Sequence, residues 1–311
     1  DADNYSSLNV NANKGADDLE FVAFSGFTNS IVGLGAGNDI MSAATIASAA
    51  TSTVAGGKGN DTIVLQFTNA TKTVIGGDRA NANPLDGDGN DSIWIKAATV
   101  FTASTIYGGG GNDTVTFSGD MSSSVVSMGA GSDVFSAQAA NIIKDTTIGM
   151  GNQGDEFHFV DSGVILSSRI NLGKGLDTTD FGDDEVGSGA LYANTTINGG
   201  LGADYLLGSA TLSAADTAAM ILEYTDNSQS TISAYDTVAL DVNGSGTYQF
   251  RYEPGASRAK FSAAGLTATQ GAVIFSSTFA TDVTARASAI STNTTARDAA
   301  AFLDGSGNAY L

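Results

Sequence analysis

Cysteine is absent from the 311-residue chain, so neither a disulfide framework nor a Cys-ligated metal site is open to it. There is one histidine, His158, which excludes His-pair metal motifs and leaves any Ser-His-Asp triad a single candidate base. Neither G-x-S-x-G nor H-E-x-x-H occurs, and the expectation is that the chain is not an enzyme. Basic residues are scarce too: 13 Lys and Arg stand against 33 Asp and Glu, for a net charge of −20. With no basic stripe to meet phosphates, nucleic acid is not expected as a partner. No apolar run approaches the roughly 20 residues of a spanning helix, so no transmembrane segment is expected. Only 2 Pro accompany 39 Gly, which favours repeated tight turns over a Pro-rich linker. The chain starts at Asp1 with no apolar signal segment and stops at Ala309-Tyr310-Leu311 as if inside a strand. The expectation is a mature or trimmed piece of a longer polypeptide.

What is present is a period. Val54-Ala55-Gly56-Gly57-Lys58-Gly59-Asn60-Asp61-Thr62-Ile63 has a β-branched residue seven places before an Asp, glycines two and four places before it, and an apolar residue two places after. The Asp of this template recurs at Asp17, Asp39, Asp61, Asp91, Asp113, Asp133, Asp155, Asp177 and Asp204, mostly 20 or 22 residues apart. A fixed period of this length is the signature of a solenoid. The position seven before the Asp holds Val10, Val32, Val54, Ile106, Val126, Ile148, Ile170 and Ile197. The position two after holds Leu19, Met41, Ile63, Ile93, Val115, Phe135, Phe157 and Leu206, with Thr179 as the exception. Alternation along a strand puts both columns on an inward face, so nine coils of a right-handed parallel β-solenoid, an all-β fold, are expected over residues 1–207. From Asp to the next β-branched residue the gap is 15, as in Asp39 to Val54, or 13, as in Asp61 to Val74 and Asp113 to Val126. A change of two keeps the inward face inward.

Two insertions interrupt the period, at 78–87 inside the fourth turn and near 178–190. After Gly208 it stops. Short helices are expected near Ser213–Ile221 and Thr295–Leu303, and strands at Ser233–Val242, Thr247–Tyr252 and Ala272–Ser276. Residues 208–311 then read as a β-rich cap or assembly domain, since the ends of a solenoid must differ from its middle.

The acids are chosen in one direction, 28 Asp to 5 Glu. Asp suits turns, and a pure turn signal is the plain alternative for the motif. Against it, nine carboxylates stacked about 4.8 Å apart repel strongly unless cations lie between them. Calcium takes 6–8 oxygens, which an Asp from each loop and carbonyls of a Gly-rich turn can supply; magnesium, near-octahedral and reluctant to lose water, suits the turn less. The expected ligand set is Asp17; Gly35, Gly37 and Asp39; Gly57, Gly59 and Asp61; Asp86, Asp88, Gly89 and Asp91; Gly109, Gly111 and Asp113; Gly129, Gly131 and Asp133; Gly151 and Asp155; Gly173, Gly175 and Asp177; Gly200, Gly202 and Asp204. Nine turns leave eight gaps, and about eight Ca²⁺ would offset about 16 of the 20 negative charges.

Three stretches, Gly56 to Ile63, Gly108 to Val115 and Gly199 to Leu206, fit G-G-x-G-x-D-x-U-x and resemble the calcium-binding nonapeptide of the RTX (repeats-in-toxin) β-roll family. Other copies are degraded: Leu34, Met128 and Leu172 replace the first Gly, and Met150-Gly151-Asn152-Gln153-Gly154-Asp155 carries Gln at the fourth place. RTX rolls commonly bear a motif on both edges with an 18-residue coil; one motif per 20–22 residues puts the ladder on one edge only. The pattern is most similar to RTX-type surface-layer and large secreted surface proteins. That resemblance implies type I secretion, calcium binding outside the cell and self-assembly into a lattice or filament. Open alternatives are an adhesin segment that binds a cell-surface glycan, and the export module of a secreted hydrolase.

Lesser features have two readings each. His158 and Trp94 follow inward residues, so alternation points both to solvent. Asp86, Asp88 and Asp91 crowd one turn, as an extra calcium site or a solvated loop. Asp241-Val242-Asn243-Gly244-Ser245-Gly246 opens like an EF-hand loop, but Tyr252 stands where the bidentate Glu belongs. Asp177, Asp180, Asp183, Asp184 and Glu185 form a solvated run or an intersubunit site.

Overall fold

In a computed structural model the chain is all-β, with no helix among the described residues, and forms a parallel β-solenoid of about seven turns. The structure describes residues 4–22, 24–78, 89–138, 142–159, 163–180, 190–212, 220–224, 237–244, 248–252, 262–263, 266–269, 272–275, 302–303 and 309–310. Each turn lays one short strand in one sheet, turns at the Gly/Asp motif, runs a longer strand in a second sheet, and turns again. Among the described residues these sheets have 11 and 17 strands. The shorter strands Ile31–Ala36, Thr53–Lys58, Val74–Gly76, Thr105–Gly110, Val125–Ala130, Thr147–Asn152 and Arg169–Lys174 follow one another in the first sheet.

The two expected columns line the interior. Val32, Val54, Ile106, Val126, Ile148, Ile170 and Ile197 are buried, and so are Met41, Ile63, Ile93, Val115, Phe135, Phe157 and Leu206. Thr179, the polar exception, is buried in the same column. Val10 and Leu19, on the end turn, are partly covered. In-register stacking puts like on like, so Phe135 and Phe157 lie parallel with ring centroids 5.6 Å apart. Phe101 and Phe117 meet edge to face at 5.5 Å.

Three expectations change. The turn count is about seven rather than nine, because the spacing counts every Asp motif, including those on the incomplete turns at the ends. The inward residue of the fourth coil is Ile75, not Val74: Ile75 pairs with Val54 on one side and Ile106 on the other. The Asp61 gap is thus 14 residues, and the odd residue is absorbed where the strand Ile40–Ala50 shifts register against Thr62–Thr71, between Ala43 and Ile46. A bulge of this kind lets a strand carry one extra residue without turning its face. Third, parallel stacking does not end at Leu207. Tyr205–Leu212 pairs with Thr237–Gly244, and Met220–Tyr224 carries Tyr248–Tyr252, all parallel. An antiparallel strand, Ala309–Tyr310, then lies against Thr237 and Val238. Met220 and Ile221, read as the end of a helix, are in a strand, as are Phe302 and Leu303; residues 213–219 and 295–301 lie outside the described residues.

The second corner of each turn has its own device, which the sequence reading passed over. Thr51, Lys72, Ala103, Ser123, Asp145 and Ser167 adopt φ near +50° there. Each is followed by a buried hydroxyl: Ser52, Thr73, Ser104, Ser124, Thr146 and Ser168. Ser104 donates its main-chain N–H to Ser124 Oγ at 3.2 Å, and Ser124 Oγ donates to the Ser122 carbonyl at 2.8 Å. The same pattern joins Thr73 to Ser104 and Thr146 to Ser168. The signal was available as Ser or Thr two places before each inward β-branched residue from Val32 to Ile197.

Candidate metal ladder at the glycine-rich edge

At the first corner the chain must turn within three residues while the next coil passes at hydrogen-bonding distance. Gly57 has φ +118° and Gly59 +105°, and a Cβ on either would overlap the carbonyl oxygen of Gly35 or Gly37 in the coil before. Only glycine fits both the angle and the contact. The expected glycines thus form two columns, one through Gly35, Gly57, Gly109, Gly129, Gly151, Gly173 and Gly200. The other runs through Gly37, Gly59, Gly89, Gly111, Gly131, Gly175 and Gly202. Gln153 takes the place of a glycine in the second column and is held at φ +76°.

These columns bring all nine expected Asp residues into one file. Asp17 N–H donates to Asp39 Oδ1 at 2.7 Å, Asp39 to Asp61 at 2.8 Å, and Asp61 to Asp91 at 2.8 Å. The series continues through Asp113, Asp133, Asp155 and Asp177 to Asp204. Beside it runs a shorter, opposite series that the sequence reading did not anticipate. Asn60, Asn90, Asn112 and Ser132 donate N–H to Oδ1 of Asn38, Asn60, Asn90 and Asn112 in the preceding coil.

The Asp ladder is satisfied on one side only. Asp39, Asp61, Asp91, Asp113, Asp133 and Asp155 are at most 3% exposed. Their second oxygens, Oδ2, have no hydrogen-bond partner, and neither does Oδ2 of the half-covered Asp17. In the coils that keep the first glycine, this oxygen leans over it: a Cβ on Gly56, Gly77 or Gly108 would meet Oδ2 of Asp61, Asp91 or Asp113. The electrostatic consequence is direct. Burial pushes Asp61, Asp91 and Asp155 up to about 7 and Asp113 to about 8, with the N–H from the preceding coil opposing the rise and neighbouring carboxylates adding to it. For Asp133, burial alone against that N–H gives about 6. Two ionised carboxylates one coil apart repel by about 3 kcal/mol at an effective dielectric of about 20.

A divalent cation fits this donor set in kind: hard anionic oxygens without partners, in a turn lined by backbone. Among the described residues no three acidic or His side chains converge on one point. Each gap presents one carboxylate per coil, so most ligands would be carbonyl oxygens, as a flexible oxygen-rich calcium site allows. Asp86 and Asp88 lie outside the described residues, as do Asp183, Asp184 and Glu185. The side chains of Asp241 and Asn243 are likewise not described.

The residues set aside as solvent-facing lie on the outer face of the larger sheet. Trp94 is 41% exposed, with Lys96 Nζ 4.0 Å from its ring centre. His158, half-exposed, contacts Glu156 through Nε2 at 3.1 Å and approaches Asp180 through Nδ1 at 4.0 Å. One carboxylate was missed. Asp78 is buried at the second-glycine place of the fourth turn, accepting the Gly110 N–H at 2.8 Å. Comparison with known protein families, with curated proteins and with solved structures returned no match for this chain.

Proposed function

We propose that this chain is a secreted, calcium-stabilised structural protein of the cell surface, a β-roll of RTX character that folds when it meets calcium outside the cell. The observation that carries the reading is the file of buried, unpartnered Asp Oδ2 atoms along one edge. A fold that hides a column of carboxylates and leaves half of each unsatisfied is costly alone and makes sense with a cation in each gap. Asp39, Asp61, Asp91, Asp113, Asp133 and Asp155 would hold the ions with glycine-turn carbonyls. The ions supply the positive charge that lets adjacent coils close.

Function follows by linkage. Where free calcium is low the carboxylates oppose folding and the chain stays extended enough to export; where it is high, binding to the folded state alone stabilises it. At tenfold over its dissociation constant, each site adds about 1.4 kcal/mol, so about eight sites would add about 11 kcal/mol. Such a margin is comparable with the whole stability of an ordinary domain.

A second reading has its own support: the raised Asp pKa values suit a ladder closed by protons in place of metal. Far-ultraviolet circular dichroism at pH 7.5, with calcium and with excess chelator, separates the two. Calcium is expected to bring β-structure and a higher melting temperature. Equal spectra and melting in both buffers would leave the proton ladder and remove the calcium function. Assembly is tested separately, by electron microscopy of the protein with calcium, where sheets or filaments are expected and dispersed single particles would argue for a binding module instead.

A further inference from the structure

The outward face of the first sheet carries a second regular pattern, unrelated to the Asp ladder. Ile31, Thr53, Val74, Thr105, Val125 and Thr147 stand in register there, each paired with the next. Alternation turns them away from the buried column that follows them, and they are exposed or half-covered, Ile31 at 54% and Val125 at 43%. Two places further along the same strands come Gly33, Ala55, Gly76, Tyr107, Ser127 and Gly149, again in register. The face is thus a ridge of β-branched side chains beside a furrow of small ones, interrupted once by Tyr107.

None of these residues is charged, in a chain with 33 acidic and 13 basic residues. Charge returns at the borders: Lys58 at the glycine-rich corner, Lys72 and Asp145 at the other, and Arg169 on the next strand, where it pairs with Glu223. The outer face of the larger sheet differs, with exposed Asp18, Glu20, Glu156 and Asp180 along its strands. A neutral centre within a charged rim is the anatomy of a protein–protein interface.

We infer that this face docks a second copy of the chain, sheet against sheet. The inference rests on the structural-protein reading above and gives its self-association a place. Three features select the occupant. The rungs repeat about every 4.8 Å, and a second copy brings the same repeat. A twofold axis running along the solenoid between the copies sets the ridge of each over the furrow of the other, so the surface is complementary to itself. An acidic chain also meets its own copy with least repulsion across a face that carries no charge. Six rungs of strands about six residues long span about 29 Å by about 20 Å, so two copies would bury about 1,200 Å², the low end for a specific interface. Tyr107, the aromatic of the face, is of the type that anchors such contacts.

The test is sedimentation of the full chain in calcium over a concentration series, with circular dichroism to confirm that each variant is folded. Wild type is expected to dimerise. Val125→Glu and Thr53→Glu put a charge on the outward face without touching the core, and each should weaken dimerisation about tenfold or more. Thr114→Glu, exposed on the other sheet, should leave it unchanged. Because the chain has no cysteine, single-cysteine variants give a second reading: a bifunctional maleimide should join copies of Thr147→Cys and not of Thr114→Cys. Face variants that dimerise and cross-link no differently from Thr114 variants overturn the inference and leave the structural reading standing. A folded wild type that stays monomeric in calcium overturns the inference together with the self-assembly it builds on. A monomer that binds cell-surface glycan and loses it in Val125→Glu gives the face another occupant, and overturns the inference too.

Discussion

Asp133→Asn isolates the role of the unpartnered oxygen. Asp133 Oδ1 accepts the Asp113 N–H at 2.8 Å, and Asn keeps that acceptor while replacing Oδ2 by an amide. Burial alone raises the Asp133 carboxyl from 3.8 to about 6, opposed by that N–H, while its own charge helps to raise Asp113 and Asp155 on either side. At pH 7.5 without calcium, holding this carboxylate ionised costs the fold about 3 kcal/mol, at about 1.36 kcal/mol per pH unit. Asn removes that cost and the repulsion Asp133 exerts on Asp113 and Asp155, so the chelated variant should be more stable than the chelated wild type, by at least about 3 kcal/mol. With calcium the sign reverses. Two gaps lose a charged ligand, and if each ion contributes about 2.7 kcal/mol at a hundredfold over its dissociation constant, up to about 5 kcal/mol is forfeited. Urea unfolding followed by circular dichroism, in calcium and in chelator, reads both numbers. A loss of equal size in the two buffers would mean that Oδ2 meets no cation and that Asp133 serves only as a hydrogen-bond acceptor.

Four raised carboxyls beside Asp133 set the pH dependence. Their folded values, about 7 to 8, exceed the unfolded 3.8, so the folded state binds more protons between those limits and calcium-free stability falls as pH rises from about 4 to 8. Calcium should flatten or invert that slope; melting curves at pH 5 and pH 8 with chelator, higher at pH 8, would contradict it. Gln153→Gly should raise stability by about 1 kcal/mol, since Gln153 is held at φ +76° in a glycine column; an unchanged or lower melting temperature would refute this. Ser124→Ala strips an acceptor from the buried Ser104 N–H and should cost about 1–2 kcal/mol. Because that corner carries no carboxylate ladder, the loss should be the same with and without calcium in thermal melts.

The glycine edge was legible because two independent demands coincide there. A left-handed angle and a carbonyl one coil away both require glycine at places such as Gly57, and an Asp must follow at fixed distance to cap the preceding Asp N–H. The second corner was harder to read. Left-handed residues there include Thr51, Lys72 and Ala103, which carry no common side-chain signal, and only the hydroxyl that follows repeats. Parity failed at Ile75 because a bulge, invisible in spacing, absorbed one residue. Asp78 was overlooked for a related reason. It stands at the edge of an insertion, where the repeat no longer says which residue is equivalent to Gly57. Beyond Leu207 the strands continue to stack without the Gly/Asp motif, so a period built on that motif had no means of following them.

The most direct measurement is the number of calcium ions held by the folded chain, by metal analysis after exhaustive dialysis against micromolar calcium, paired with circular dichroism of the same sample. About eight ions, with β-structure lost when they are stripped, is the predicted result. A folded protein carrying no calcium would contradict it.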